Sequence, residues 1–171
     1  MAHCWGILEM VFVHYEVVLA SGASAPSWLK ALAPIKSPMH FSYTRELAGG
    51  ACASTFDLDS LALQGNSLGD PSFRSHPVLA PKNPSPGLPL VLVLGGYTGF
   101  GHKFLNKSSL WDETLVERLA RLQDADLIPP AIFAMPSCET RLGGSQYLNS
   151  TGTGRYEDMV IQELVPALEN E

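Results

Sequence analysis

Apolar residues recur along this chain in two periods. Over Asp57 to Gln64 they alternate with polar ones through Leu58, Ser60 and Ala62, the pattern of a half-exposed strand. Turns are expected at Gly65-Asn66-Ser67 and Gly69-Asp70-Pro71, with a return strand from Phe73 to Leu79. Pro81 to Gly87 reads as a connecting loop, from its Pro and Ser content. Leu90-Val91-Leu92-Val93-Leu94 is an unbroken apolar run between Pro89 and Gly95, as in a strand covered on both faces, and Ala131 to Met135 repeats the pattern. The helical period predicts a helix over 109–123, with Trp111, Leu115, Leu119 and Leu122 on one face. Ser108 or Ser109 is the expected cap, and Glu117 and Arg121 form an i,i+4 pair. Pro136 to Arg155 reads as a long polar loop. A last helix is expected over 156–168, with Tyr156, Val160, Leu164 and Leu168 in register and Pro166 loosening its end. Strands alternating with helices predict an α/β fold, doubly wound, with a mostly parallel sheet and antiparallel N-terminal strands.

Composition narrows the function. The 171 residues suit one domain, and 46% hydrophobic with 16% charged residues excludes a disordered chain. Eleven Lys and Arg against seventeen Asp and Glu give a net charge of -6, which argues against nucleic acid as a partner and for a small or neutral molecule. Cys4, Cys52 and Cys138 form no C-x-x-C pair, so free thiols in a reducing, cytoplasmic setting are expected. Residues 5–20 are rich in apolar side chains. No Lys or Arg precedes Lys30, however, and Glu9, His14 and Glu16 interrupt the run, so neither a secretory signal nor a membrane span is expected. Residues 1–50 read as a weakly ordered extension and 51–171 as the body of the domain.

Ligands in open α/β sheets sit at the carboxyl ends of the strands. Two loops qualify: Gly95 to Gly101 and Pro136 to Arg155. The first presents backbone at Gly95, Gly96, Gly99 and Gly101, which suits either a tight turn or a set of N–H groups aimed at an anion. Its spacing fits neither G-x-G-x-x-G nor a P-loop. Gly65-Asn66-Ser67-Leu68-Gly69 matches G-x-S-x-G, but an amphipathic strand precedes it and Asp70-Pro71 follows, so a β-turn is expected and Ser67 is rejected as a nucleophile. Of His3, His14, His40, His76 and His102, only His102 lies beside a candidate loop, where a surface position is the simpler reading.

Five blocks, taken in order, resemble a family of α/β-hydrolase esterases. They are Gly65 to Pro71, Leu94 to Gly99, Pro129 to Ile132, Gly143 to Ser150, and Gly154 to Asp158 with Glu163 to Pro166. That family includes esterase D (S-formylglutathione hydrolase), enterochelin esterase, feruloyl esterases and mycolyltransferases. The resemblance covers roughly residues 58–169, and Ser137 departs from the Asp of close relatives. It implies an α/β-hydrolase fold, hydrolysis of a small ester or thioester (or acyl transfer) by a Ser-Asp-His triad, and no cofactor or metal. It also implies that the Tyr97 backbone N–H holds the oxyanion, with Gly95, Gly96, Thr98, Gly143, Gly144, Ser145, Gln146 and Tyr147 bordering the cleft. By the same resemblance the nucleophile, acid and histidine lie beyond Glu171. The chain is then expected to be an N-terminal part, inactive alone, with an uncovered sheet edge open to self-association. A non-catalytic binding or regulatory protein on the same fold fits these residues equally well.

Overall fold

Alternation in the strands sorts apolar side chains onto both faces of a mixed five-stranded sheet. The computed structural model describes residues 40–170. Its sheet is built from β1 (His40–Glu46), β2 (Cys52–Asp59), β3 (Phe73–Ala80), β4 (Leu90–Leu92) and β5 (Ile132–Ala134), in the order β1-β2-β3-β5-β4. The first three strands form an antiparallel meander. β5 then pairs antiparallel with β3 and parallel with β4, so among the described residues three of the sheet's four pairings are antiparallel and the sheet is mixed, not mostly parallel as expected.

Neighbouring residues serve opposite faces, as the two-residue period requires. Phe56, Leu58, Val78, Leu92 and Ala134 lie in one core with Tyr156, Met159, Val160 and Leu164 of the C-terminal helix. Ala53, Leu79, Phe133 and Met135 lie in the other, against Val116 and Ala120 of helix α1 (Leu115–Asp124). Helices therefore cover both faces of the sheet.

Several local expectations shift. The strand expected over 57–64 runs instead over Cys52–Asp59. Past Asp59 the chain turns, because the Ser60 hydroxyl accepts the Leu63 N–H at 3.2 Å and leaves Leu61 exposed. Helix α1 starts at Leu115 with Thr114 as its cap, not Ser108 or Ser109. Thr114 and Glu117 exchange side-chain and backbone bonds in a capping box. Trp111 consequently lies outside the helix at 91% exposure, and the buried face is Val116 and Ala120. Glu117 pairs with Arg45 on β1, while Arg121 turns to Glu113.

The polar loop of 136–155 holds two small hairpins: β6 (Glu139–Thr140) with β7 (Gly143–Gly144), and β8 (Asn149–Ser150) with β9 (Gly154–Arg155). The C-terminal helix runs from Tyr156–Asp158 through a π-helical Met159–Leu164 into Val165–Glu169. Pro166 accounts for the wide turn. Its ring would crowd the carbonyl four residues back, and the widened turn, with Val165 N–H bonded to the Val160 carbonyl, relieves that contact. The expected extension over 1–50 overlaps β1 and the short 3-10 turn Ala48–Gly50; its residues 1–39 lie outside the described residues.

Candidate functional site

β4 and β5 point their carboxyl ends at the same place. After β4 the chain makes a tight turn in which Gly99 N–H donates to the Gly96 carbonyl at 2.7 Å. After β5 it runs through Pro136 and Ser137, both buried, into the β6–β7 hairpin. Ser137 is tied down twice: its N–H donates to His76 Nδ1 at 3.1 Å and its hydroxyl to the Ser75 carbonyl at 2.7 Å. Ser137, at the position where the resemblance expects Asp, therefore makes loop bonds of its own. His76 is fully buried, and desolvation, helped by the nearby Arg74 charge, holds its pKa down to about 3. The neutral ring is thus free to accept from Ser137.

The hairpin is anchored at its root by Arg74. This buried guanidinium donates to the Pro71 carbonyl at 3.0 Å and the Tyr156 hydroxyl at 2.9 Å, and pairs with Glu139 at 3.3 Å. Arg141 adds a contact to Asp70. So held, the hairpin presses its tip on Tyr97. Gly144 N–H donates to the Tyr97 carbonyl at 2.6 Å, and the Tyr97 hydroxyl donates to the Leu142 carbonyl at 2.8 Å. Gly143 lies against the ring at φ +121°, where a Cβ would come within 2.7 Å of the Tyr97 ring carbons. Only glycine permits that approach.

The next turn brings a second tyrosine. Gln146 and Tyr147 both adopt the left-handed conformation, at φ 60° and 56°. Each costs about 1–2 kcal/mol relative to an ordinary backbone. The buried Ser145 offsets part of this by accepting the Tyr147 N–H on its hydroxyl at 3.2 Å. Tyr147 then reaches the first loop, and its hydroxyl donates to the Gly95 carbonyl at 2.9 Å. Burial pushes that hydroxyl's pKa up to about 12, so it remains a donor across the working pH range.

The carbonyls of Gly95, Gly96 and Tyr97 therefore all have donors, while the N–H groups of Gly96, Tyr97 and Thr98 reach no protein acceptor among the described residues. A loop with its acceptors engaged and its donors free suits an anion. It faces a cavity of about 80 Å³ lined by Gly95, Gly96, Tyr97, Gly99, Cys138, Gly144, Gln146 and Tyr147. The Cys138 thiol in its wall is pushed up in pKa by burial and is no ready nucleophile. Thr98 is exposed at the loop's tip, and Ser145 supports the second turn from beneath.

Ser67 donates its hydroxyl to the Thr151 carbonyl at 2.5 Å on a turn with Gly65 and Gly69 at positive φ; no helix follows. His102 is half-buried, with Nδ1 3.4 Å from the Ser137 hydroxyl. His3, His14 and Cys4 lie outside the described residues. Among the described residues no three His, Cys, Asp or Glu side chains gather as a metal set, and no helix is long and apolar enough to cross a membrane. A separate, more open groove of about 500 Å³ lies between Gln64 to Ser67 and Asn149 to Thr151.

The grip of the hairpin on Tyr97 had a faint signal in the sequence, the paired glycines at 143 and 144. Their partner, Tyr97, lies far back in the chain and cannot be read from spacing.

No family model matches the sequence, and no curated protein matches it. A solved structure of a ferulic acid esterase is similar with a TM-score of 0.55 and 19% identity, over 70% of this chain and 44% of that one. The chain thus spans less than half the length of that esterase. At this identity the likeness is one of fold: a mixed sheet with helices on both faces, arranged as in an esterase.

Proposed function

We propose that this chain belongs to the α/β-hydrolase esterases and supplies the oxyanion side of a site that hydrolyses a small carboxylic ester or thioester. The observation that carries this reading is the Gly95 to Thr98 loop: the carbonyls of Gly95, Gly96 and Tyr97 are engaged, while the N–H groups of Gly96, Tyr97 and Thr98 have no protein acceptor among the described residues. Donors arranged beforehand around a developing negative charge stabilise it without reorganising in the reaction, and one such donor is worth about 3–4 kcal/mol. Tyr97 N–H is the principal donor in this reading. The likeness to a ferulic acid esterase supports it through the fold.

The chemistry also needs a nucleophile, an acid and a histidine. Ser67 and Ser137 both have their hydroxyls tied to carbonyls. The chain by itself is therefore read as catalytically silent, and the apolar open edge of β4 as a surface through which copies associate.

The purified chain is tested with p-nitrophenyl acetate and methyl ferulate, and separately titrated with ferulate while its backbone amides are followed by NMR. The expected result is no phosphonate-sensitive turnover, with ferulate shifting the amides of Gly96, Tyr97 and Thr98. Turnover abolished by a phosphonate would overturn the silent reading. Ferulate, even at tens of millimolar, leaving those three amides unmoved would overturn the oxyanion reading.

A further inference from the structure

The peptide between Gly95 and Gly96 is unusual in what restrains it. Glycine on both sides removes the side chains that ordinarily bias a peptide's orientation. A Cβ on Gly96 would meet nothing within 4 Å, so that side of the peptide is open, whereas one on Gly95 would meet the Gly99 backbone at 3.3 Å and the Tyr147 hydroxyl at 3.5 Å. Gly96 N–H has no protein acceptor among the described residues. The peptide's own groups make one bond among the described residues, from the Tyr147 hydroxyl to the Gly95 carbonyl at 2.9 Å, while the Gly96 carbonyl that follows is held by Gly99 N–H at 2.7 Å. In a trans peptide the carbonyl and the following N–H point in opposite directions. Fixing the Gly95 carbonyl therefore fixes the Gly96 N–H and the direction in which the chain enters Tyr97.

We propose that Tyr147 is a positioning residue: its hydroxyl selects one of two orientations of the Gly95–Gly96 peptide and so holds the loop in its anion-accepting form. The inference rests on the oxyanion reading for its purpose, though not for its geometry. The left-handed backbone at Gln146 and Tyr147 fits this role, because it delivers the tyrosine ring to the first loop. Strained backbone persists where surrounding contacts over-determine it, and here the Ser145 hydroxyl beneath and the Gly95 carbonyl above do so. Without the hydroxyl the peptide can turn over, placing an oxygen where a donor had been.

The test is Tyr147→Phe, which keeps the ring and removes only the donor. Relaxation-dispersion NMR on the whole chain should show new microsecond-to-millisecond exchange at Gly96 and Tyr97, absent from the parent, and ferulate should bind about tenfold more weakly. A purely packing role predicts unchanged Gly96 dynamics and affinity, and that result would overturn the proposal. Should the variant melt much earlier than the parent, Ser145→Ala provides the second route. It loosens the turn that delivers Tyr147, and it should give the same exchange at Gly96 in smaller amplitude; a silent Gly96 there would also count against the proposal. The two readings fail separately. If Gly96 begins to exchange in Tyr147→Phe while ferulate binds neither protein, the positioning role stands and the oxyanion reading falls.

Discussion

At one border of the sheet β1 presents Ser42, Thr44, Arg45 and Glu46 to solvent, and its register with β2 slips between Phe41 and Tyr43. At the other border β4 and the residues that continue it present only leucine and valine, from Leu90 to Leu94. Both strands are paired on one side alone among the described residues. Charge and irregularity are the usual protections of an exposed strand, and β1 has both. β4 has neither: Leu90 and Leu94 pack toward one core, Val91 and Val93 toward the other. The difference teaches that β1 is composed as a border and β4 as an interior strand.

Four measurements would break or sharpen this contrast. Acid should have the largest effect, acting from His76 on β3 upon the Ser137 segment that follows β5. His76 is neutral in the fold, with a pKa near 3 against about 6.5 unfolded. The unfolded chain therefore binds more protons, and stability is complete above pH 6.5 and lost as pH falls toward 3. The slope approaches 1.4 kcal/mol per pH unit once the unfolded histidine is charged. Hydrogen exchange should accelerate at β5 and the residues after it before β1 and β2, and His76→Asn, which keeps an acceptor for Ser137, should flatten the slope. Uniform acceleration across all strands would contradict the assignment to His76.

Truncation comes next. Leu92 is 7% exposed, so Leu92→Ala should cost about 2–3 kcal/mol in urea unfolding. Phe41 on β1 is 40% exposed and meets Phe56 edge-on at 5.4 Å, so Phe41→Ala should cost only about 1 kcal/mol. Equal losses would erase the contrast. Association follows: sedimentation of the parent should show concentration-dependent oligomers, and Leu90→Lys should shift them toward monomer by roughly tenfold in concentration. Thr44→Val should do least, changing stability by less than about 0.5 kcal/mol.

These differences also mark which parts of the fold are written locally in the sequence. The apolar runs at 90–94 and 131–135 and the spacing of Tyr156, Val160 and Leu164 identify elements directly, because burial imposes its period on them. β2 slipped by several residues because Ala62 continues the period of Leu58 and Ser60, although the Ser60 hydroxyl turns the chain there. The Thr114 capping box was legible as Thr-x-x-Glu, though nearer serines competed for the role. The glycine-rich loop from Gly95 was legible, with a tight turn and an anion site both open, but its hydrogen-bond pattern was not. It depends on which carbonyls meet donors from Gly144 and Tyr147, and such long-range pairings leave no local period.

The placement of β5 has a consequence for the order of folding. β1, β2 and β3 follow one another in the chain and pair with their sequence neighbours, so each closes only a short loop. β5 must instead return after helix α1 and enter between β3 and β4, joining a partner more than forty residues earlier in the chain. Pairings that close longer loops give up more chain entropy before any contact rewards them, and they form slowly. The meander is therefore the early, fast part of the molecule. Both loops of the cleft hang on the late part, so Tyr97 and Tyr147 are brought to their partners only in the final event of folding.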